Sequence, residues 1–325
     1  MKRHHCITAG ALCLLALCGA HAAPAERFSI AAMGCLPYGA QNYPAYERLL
    51  AEINRHAPAF TVHCGDTKGG SEAPSEAFLL QVRTWFNSID GPVMYTPGDN
   101  EWTDVHRDFP SEDPLVWLQK VRKIYFAEER SLGRAPIPLI TQRRDAAYAK
   151  FVENARWTHN GVVFATIHMV GSNNNDQPQR AGAVAEFQER DAANAAWMRA
   201  TFAAAREANA PAVGLFFQAM PFKKGPTAVA RTAAFANFTA TLEAEARRFK
   251  KPVLIVHADE HRYRYDPAIP FETKEAQLTN VTRVETFGDN DAHGVLVVVD
   301  PVSPQVFLAG PLLVPGNALP ILTYK

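Results

Sequence analysis

From residue 28 onward, short apolar runs alternate with stretches whose apolar positions recur every three or four residues. Phe28–Met33 reads as a strand, followed by Gly34 and a Pro-Tyr-Gly turn. Residues 46–56 have helical spacing, with Tyr46, Leu49, Leu50 and Ile53 on one face. A second strand, 60–63, ends at Gly65-Asp66. A helix over 78–89 leads to a strand at 93–95 that runs into Pro97-Gly98-Asp99-Asn100. This alternation predicts a parallel sheet with crossover helices.

The middle of the chain changes character. Residues 132–144 hold two prolines, a glycine and three arginines and read as an exposed loop. Residues 152–169 read as a hairpin across His159-Asn160-Gly161, because Asn-Gly favours a tight primed turn. A polar loop, 171–179, precedes a long helix over 186–209, whose buried stripe includes Phe187, Ala193, Trp197 and Phe202. A buried strand at 213–217 ends at Gln218, and a helix over 229–249 leads to a strand at 253–257. After residue 283, segments 284–287, 295–299 and 306–309 read as antiparallel strands. There is no internal repeat and no low-complexity linker, so one domain is expected over residues 23–325.

Composition narrows the class. The chain has 325 residues, 47% apolar and 20% charged, which is too apolar for disorder. Its 33 basic and 33 acidic residues balance, which argues against a nucleic-acid-binding surface. No apolar run approaches the ~18–20 residues of a membrane span. Residues 1–22 read as a secretory leader: Lys2 and Arg3, an apolar stretch over 7–17, then Ala20-His21-Ala22. A periplasmic or secreted protein is therefore expected. Removing the leader takes away Cys6, Cys13 and Cys18, leaving Cys35 and Cys64 in an oxidising compartment, enough for one bond.

In an open α/β sheet, ligands bind beyond the carboxyl ends of the strands. The segments expected there are 34–38, 65–70, 98–102, 218–221 and 257–261, and each offers an oxygen, nitrogen or sulfur ligand. Converging carboxylates repel one another unless a cation neutralises them, so a bound metal is the simplest explanation.

These residues, in this order, resemble the calcineurin-like metallophosphoesterases. The usual blocks of that family are Asp-x-His, Gly-Asp, Gly-Asn-His-Glu/Asp, a later His, and Gly-His-x-His. The likeness runs from Met33 to His261 and is greatest to a bacterial exported branch with Gly-Asp-Asn-Glu and Gly-Asp-x-His. Here the corresponding residues are Gly65-Asp66, Gly98-Asp99-Asn100-Glu101 and His257-x-Asp259-x-His261. The departures are specific. Cys35 and Pro37 stand where the first Asp and His belong, and Asp99 replaces an Asn. Asn100 replaces the His that helps the leaving group depart, Gln218 the later His, and Asp259 the first His of the last block.

The resemblance implies an α/β/β/α sandwich of two sheets and a site with one or two divalent metals (Mn, Mg, Zn or Fe). Asp66 would bridge them, with Cys35 and His261 completing one set and Asp99, Gln218 and Asp259 the other. Asn100 takes the catalytic position but cannot donate a proton as an acid, so His257 and His106 are candidates for that role. Lys68, Arg262 and Arg264 are candidate phosphate holders, and Asn173-Asn174-Asn175 a candidate rim. Cys35 has two readings, a metal-bound thiolate or a thiol that ligates nothing, free or in a disulfide with Cys64. The implied activity is hydrolysis of a phosphate mono- or diester on an unknown phosphorylated substrate. The alternative is a non-catalytic protein that binds metal or a phosphorylated ligand on the same scaffold.

Overall fold

The structure is a computed structural model that describes residues 26–223, 230–269 and 279–319. The leader, residues 1–22, and Val229 at the start of one expected helix lie outside the described residues. In chain order the strands are β1 (Phe28–Met33), β2 (Thr61–His63), β3 (Val93–Tyr95), β4 (Ile140–Thr141), β5 (Ala155–His159) and β6 (Val162–Thr166). They continue as β7 (Val213–Phe216), β8 (Val253–His257), β9 (Arg264–Asp266), β10 (Val281–Glu285), β11 (Gly294–Val299) and β12 (Phe307–Leu312).

Two mixed sheets result. One has the order β12-β11-β1-β2-β3 and the other β4-β5-β6-β7-β8-β10-β9. The centre of each is parallel: β1, β2 and β3 in the first, and β6, β7, β8 and β10 in the second. Period-2 alternation explains why the sheets pack on both faces. Along β1, Ile30 and Ala32 point between the sheets, whereas Ala31 and Met33 point to the helices. Phe60, Val62, Trp157, Phe164, Phe216 and Val256 fill the layer between the sheets. Helices Tyr43–His56, Glu76–Phe86 and Pro114–Tyr125 cover the outer face of the first sheet. Helices Ala183–Glu207 and Ala236–Phe249 cover that of the second, so the layers are α/β/β/α as expected.

Several expectations change. The segment 284–287 does not join an antiparallel tail. β10 lies parallel to β8 and antiparallel to β9, with Val281 and Val284 packed into the buried layers on either side of that sheet. Only β11 and β12 form the expected antiparallel pair, beside β1. The helix Pro114–Tyr125 and strand β9 are additions, and the loop 132–144 contains β4. The Asn160-Gly161 turn is present, with φ of 44° and 81°. No helix among the described residues is long and apolar enough to cross a membrane.

Candidate functional site

Asp66, Asp99, Gln218 and Asp259 all follow the carboxyl ends of strands, and the fold brings them to one centre. Gln218 Nε2 lies 3.0 Å from Asp66 Oδ2, 2.9 Å from Asp99 Oδ1 and 3.4 Å from Asp259 Oδ1. Local backbone geometry makes this approach possible. Cys35, Asp66, Asp259 and His261 adopt positive φ of 54°, 58°, 81° and 56°, which folds their side chains back over the sheet rim. Gly98 is required beside Asp66, since a Cβ there would lie 2.0 Å from Asp66 Oδ1.

The carboxylates are buried and mutually repulsive. Burial, then the charges of Asp99 and Glu101, holds Asp66 well above the usual carboxylate range. Asp99 is raised by burial and by Asp259, and Asp259 chiefly by burial. The hydrogen bonds partly compensate: Asp66 Oδ1 accepts from Asn100 N–H, and Asp259 Oδ2 from Met220 N–H. Asp104 joins from below the rim. Ser172 Oγ lies 2.7 Å from Asp99 Oδ2 and 2.8 Å from Asp104 Oδ1, and Arg107 pairs with Asp104 at 2.8 Å. Burial and Asp99 push Asp104 up to about 6.

The other half of the expected metal set is arranged differently. Cys35 and Cys64 are both free, so the disulfide is not formed. Cys35 Sγ faces Asp66 Oδ2 at 3.5 Å and the Asp259 N–H at 3.2 Å, while Cys64 Sγ faces Val256 O. Burial and Asp66 raise Cys35 far above its ordinary value and keep it a thiol. His261 turns Nε2 to Tyr38 Oη at 3.4 Å. Tyr38, which sequence reading leaves without a role, also reaches Asp66 Oδ2 at 3.2 Å and accepts from Asn100 Nδ2 at 3.0 Å. The only hint was its place in the segment after β1.

Tyr38, Asp66, Asp99, Asn100, Asp259 and His261 line a cavity of about 520 Å³, within the size range of small-molecule sites, whereas Cys35, Asp104 and Gln218 do not line it. Arg107, Ser172 and Arg231 line it too, and none was singled out from sequence. Ser172, Asn173, Asn174 and Asn175 form a left-handed turn with φ between 47° and 62°. Asn173 does reach the rim, whereas Asn174 is buried against Arg190 and Asn175 against Glu186. His257 is off the cavity: it is buried, stacked on Phe217, bonded through Nδ1 to Ala258 O, and pushed down to about 3 by burial. His106 is bonded to Thr103 O outside the lining. Lys68 is buried with its ammonium on Gly69 O and Asn100 O, and Arg264 points toward Glu285. Arg262 does not line the cavity.

Among the described residues, no group of three or more His, Cys, Asp and Glu side chains is placed to hold a metal ion. The physical reason lies at Gln218, whose amide stands where the carboxylates meet. Oxygens at hydrogen-bond distance from a nitrogen are farther out than the ~2.0–2.6 Å of a divalent ion. Gln218 therefore donates to the carboxylates and does not act as the ligand expected from sequence. Three converging carboxylates fit one hard cation in place of that amide. Cys35, whose Sγ faces Asp66 Oδ2 and the Asp259 N–H, and His261, turned to Tyr38, are not arranged around a second.

No family model matches the chain, and no curated protein matches it. Solved structures do. A dimetal phosphatase from Danio rerio is 9% identical with a TM-score of 0.55, the match covering 90% of this chain and 100% of that one. A purple acid phosphatase from yellow lupin seeds is 11% identical with a TM-score of 0.49, covering 88% of this chain and 54% of that one. PhoD is 10% identical with a TM-score of 0.49, covering 86% and 65%. At such identities the likeness is one of fold alone: the chain shares its two-sheet α/β sandwich with the Danio rerio protein.

Proposed function

We propose that this chain is an exported phosphoesterase that hydrolyses a phosphate mono- or diester in the cavity at the sheet rim. The observation that carries the reading is the meeting of Asp66, Asp99 and Asp259 within 3.4 Å of one atom on a phosphatase-type sandwich. Those three residues would hold a divalent cation, which supplies positive charge for the phosphoryl oxygens and eases deprotonation of water.

The chain's own residues account for the rest. Arg107 and Arg231 line the cavity and offer guanidinium donors to phosphate oxygens. Each is now paired with carboxylates, Arg107 with Asp104 and Arg231 with Glu260, so a phosphate would compete for them. Asn100 supplies no proton, but it orients Tyr38 Oη. Burial and the Asp66 charge keep the Tyr38 phenol protonated; Oη now donates to Asp66 Oδ2, and with that carboxylate turned to a cation it would donate to a leaving oxygen instead. Tyr38 thus stands in for the missing imidazole.

The test is turnover of chromogenic mono- and diesters by dialysed protein with Mn²⁺, Mg²⁺ or Zn²⁺ added. Asp66→Ala should lower kcat/KM by at least about 10³-fold, in line with the loss of a group central to charge stabilisation. Bound cation or phosphate without turnover would instead establish the non-catalytic binding protein, a reading favoured by the amide at the centre and by Cys35. Cell fractionation tests export.

A further inference from the structure

Gln218 is fully buried beyond the end of β7, and a backbone group decides which way its amide points. Its Oε1 accepts from Gly171 N–H at 2.6 Å. A peptide nitrogen can only donate, so this contact fixes the oxygen there and the nitrogen toward the carboxylates. Nε2 has two protons for three carboxylates, all within 3.4 Å.

We infer that Gln218 is a built-in competitor for the cation: its amide nitrogen occupies the point on which Asp66, Asp99 and Asp259 would close, and a divalent ion binds only as the amide withdraws. This rests on the reading that those carboxylates hold a cation. Rotating the amide to offer Oε1 as a ligand is opposed by the frame around it. Rotation would press an NH₂ against Gly171 N–H, donor against donor, whereas withdrawal removes the acceptor without adding that repulsion. Gly171 is already pressed onto the site, since a Cβ there would lie 2.8 Å from Asp99 Oδ2 and 2.9 Å from Asp259 Oδ1. The left-handed turn that follows is itself anchored, Arg190 donating to Asn174 Oδ1 at 2.7 Å and to Asn174 O at 2.9 Å. The side chain that gives way is therefore Gln218, which sets a threshold on cation concentration below which the centre stays closed by its own hydrogen bonds.

The experiment is calorimetric titration of the dialysed full chain with Mn²⁺, wild type against Gln218→Ala. Removing the amide should tighten Mn²⁺ binding at least ten-fold. It should also lower Tm in EDTA, and Mn²⁺ should then raise Tm by more than in the wild type. Equal or weaker binding by Gln218→Ala overturns the inference, because Gln218 would then be a ligand or a bystander, and so does failure of both proteins to bind. Should the variant not fold, wild-type protein labelled with ¹⁵N-glutamine gives the same answer. Titration with Mg²⁺ should move the Gln218 side-chain NH₂ pair, assigned through its proximity to the Gly171 amide, out of that proximity; a pair that is unmoved, or that shifts while staying beside Gly171, on a cation-loaded protein overturns it. Phosphoesterase assays run alongside separate the two claims: tighter binding without turnover removes the hydrolase reading and leaves the competitor.

Discussion

Positive φ at Cys35, Asp66, Asp259 and His261 is an expense of roughly 1–2 kcal/mol per residue, concentrated where the chain has to bend polar side chains over the rim. Glu285 stores a different unfavourable energy. Its side chain is fully buried on β10, neither carboxylate oxygen has a hydrogen-bond partner among the described residues, and the Arg264 guanidinium is 4.0 Å away. Burial pushes it up to about 8. The folded chain therefore keeps a proton that the unfolded chain has lost, between the ordinary glutamate value and about 8, and stability falls as pH rises through that window. Glu285→Gln should remove that slope and raise stability above pH 8, by several kcal/mol at most. Urea unfolding at pH 5 and pH 8.5 checks this; an unchanged pH difference would show Glu285 to be ionised or paired. The acidic residues of the site were legible because each closes a strand; Tyr38 shares that position but has no charge to mark it, and Ser172, Arg107 and Arg231 carry no such positional signal. They reach the cavity through loops whose paths no local pattern specifies.

Helix boundaries show how far local chemistry reaches. Ser75 caps Glu76–Phe86, its Oγ accepting from Phe78 N–H at 3.2 Å. Ser75→Ala should cost about 1 kcal/mol, read as a lower urea midpoint at unchanged slope. The same kind of start signal, Asp113 followed by Pro114, opens the helix Pro114–Tyr125. Trp117, Leu118, Val121 and Ile124 then repeat at helical spacing, so that element was readable although it was not assigned. The partners of β10 were not readable. Its apolar residues suit parallel or antiparallel neighbours equally, and only the position of β8 decides between them.

At the scale of the molecule, the layer between the sheets holds the strand ends in register with one another. Phe164 is fully buried there, edge-on to Phe60 and stacked with Trp157. Phe164→Ala should destabilise the protein by about 3–5 kcal/mol and lower cation affinity as well, because the same packing spaces β2, β3, β7 and β8. Thermal unfolding and Mn²⁺ titration together check both effects. A loss of stability with unchanged affinity would mean that the rim is held by its own loops.

Most of the order of strands and helices, and the polar residues that end the strands, follow from the sequence alone, because periodicity and chain reversal are properties of neighbours. The direction of the Gln218 amide, the separation of the two thiols and the turn of His261 toward Tyr38 were decided only in three dimensions. Gln218 and Asp66 lie 152 positions apart, and the Gly171 N–H that orients the amide comes from a third stretch of chain. Hydrogen-bond direction among such residues is set by which donors the packed fold brings into reach, and no linear pattern records that.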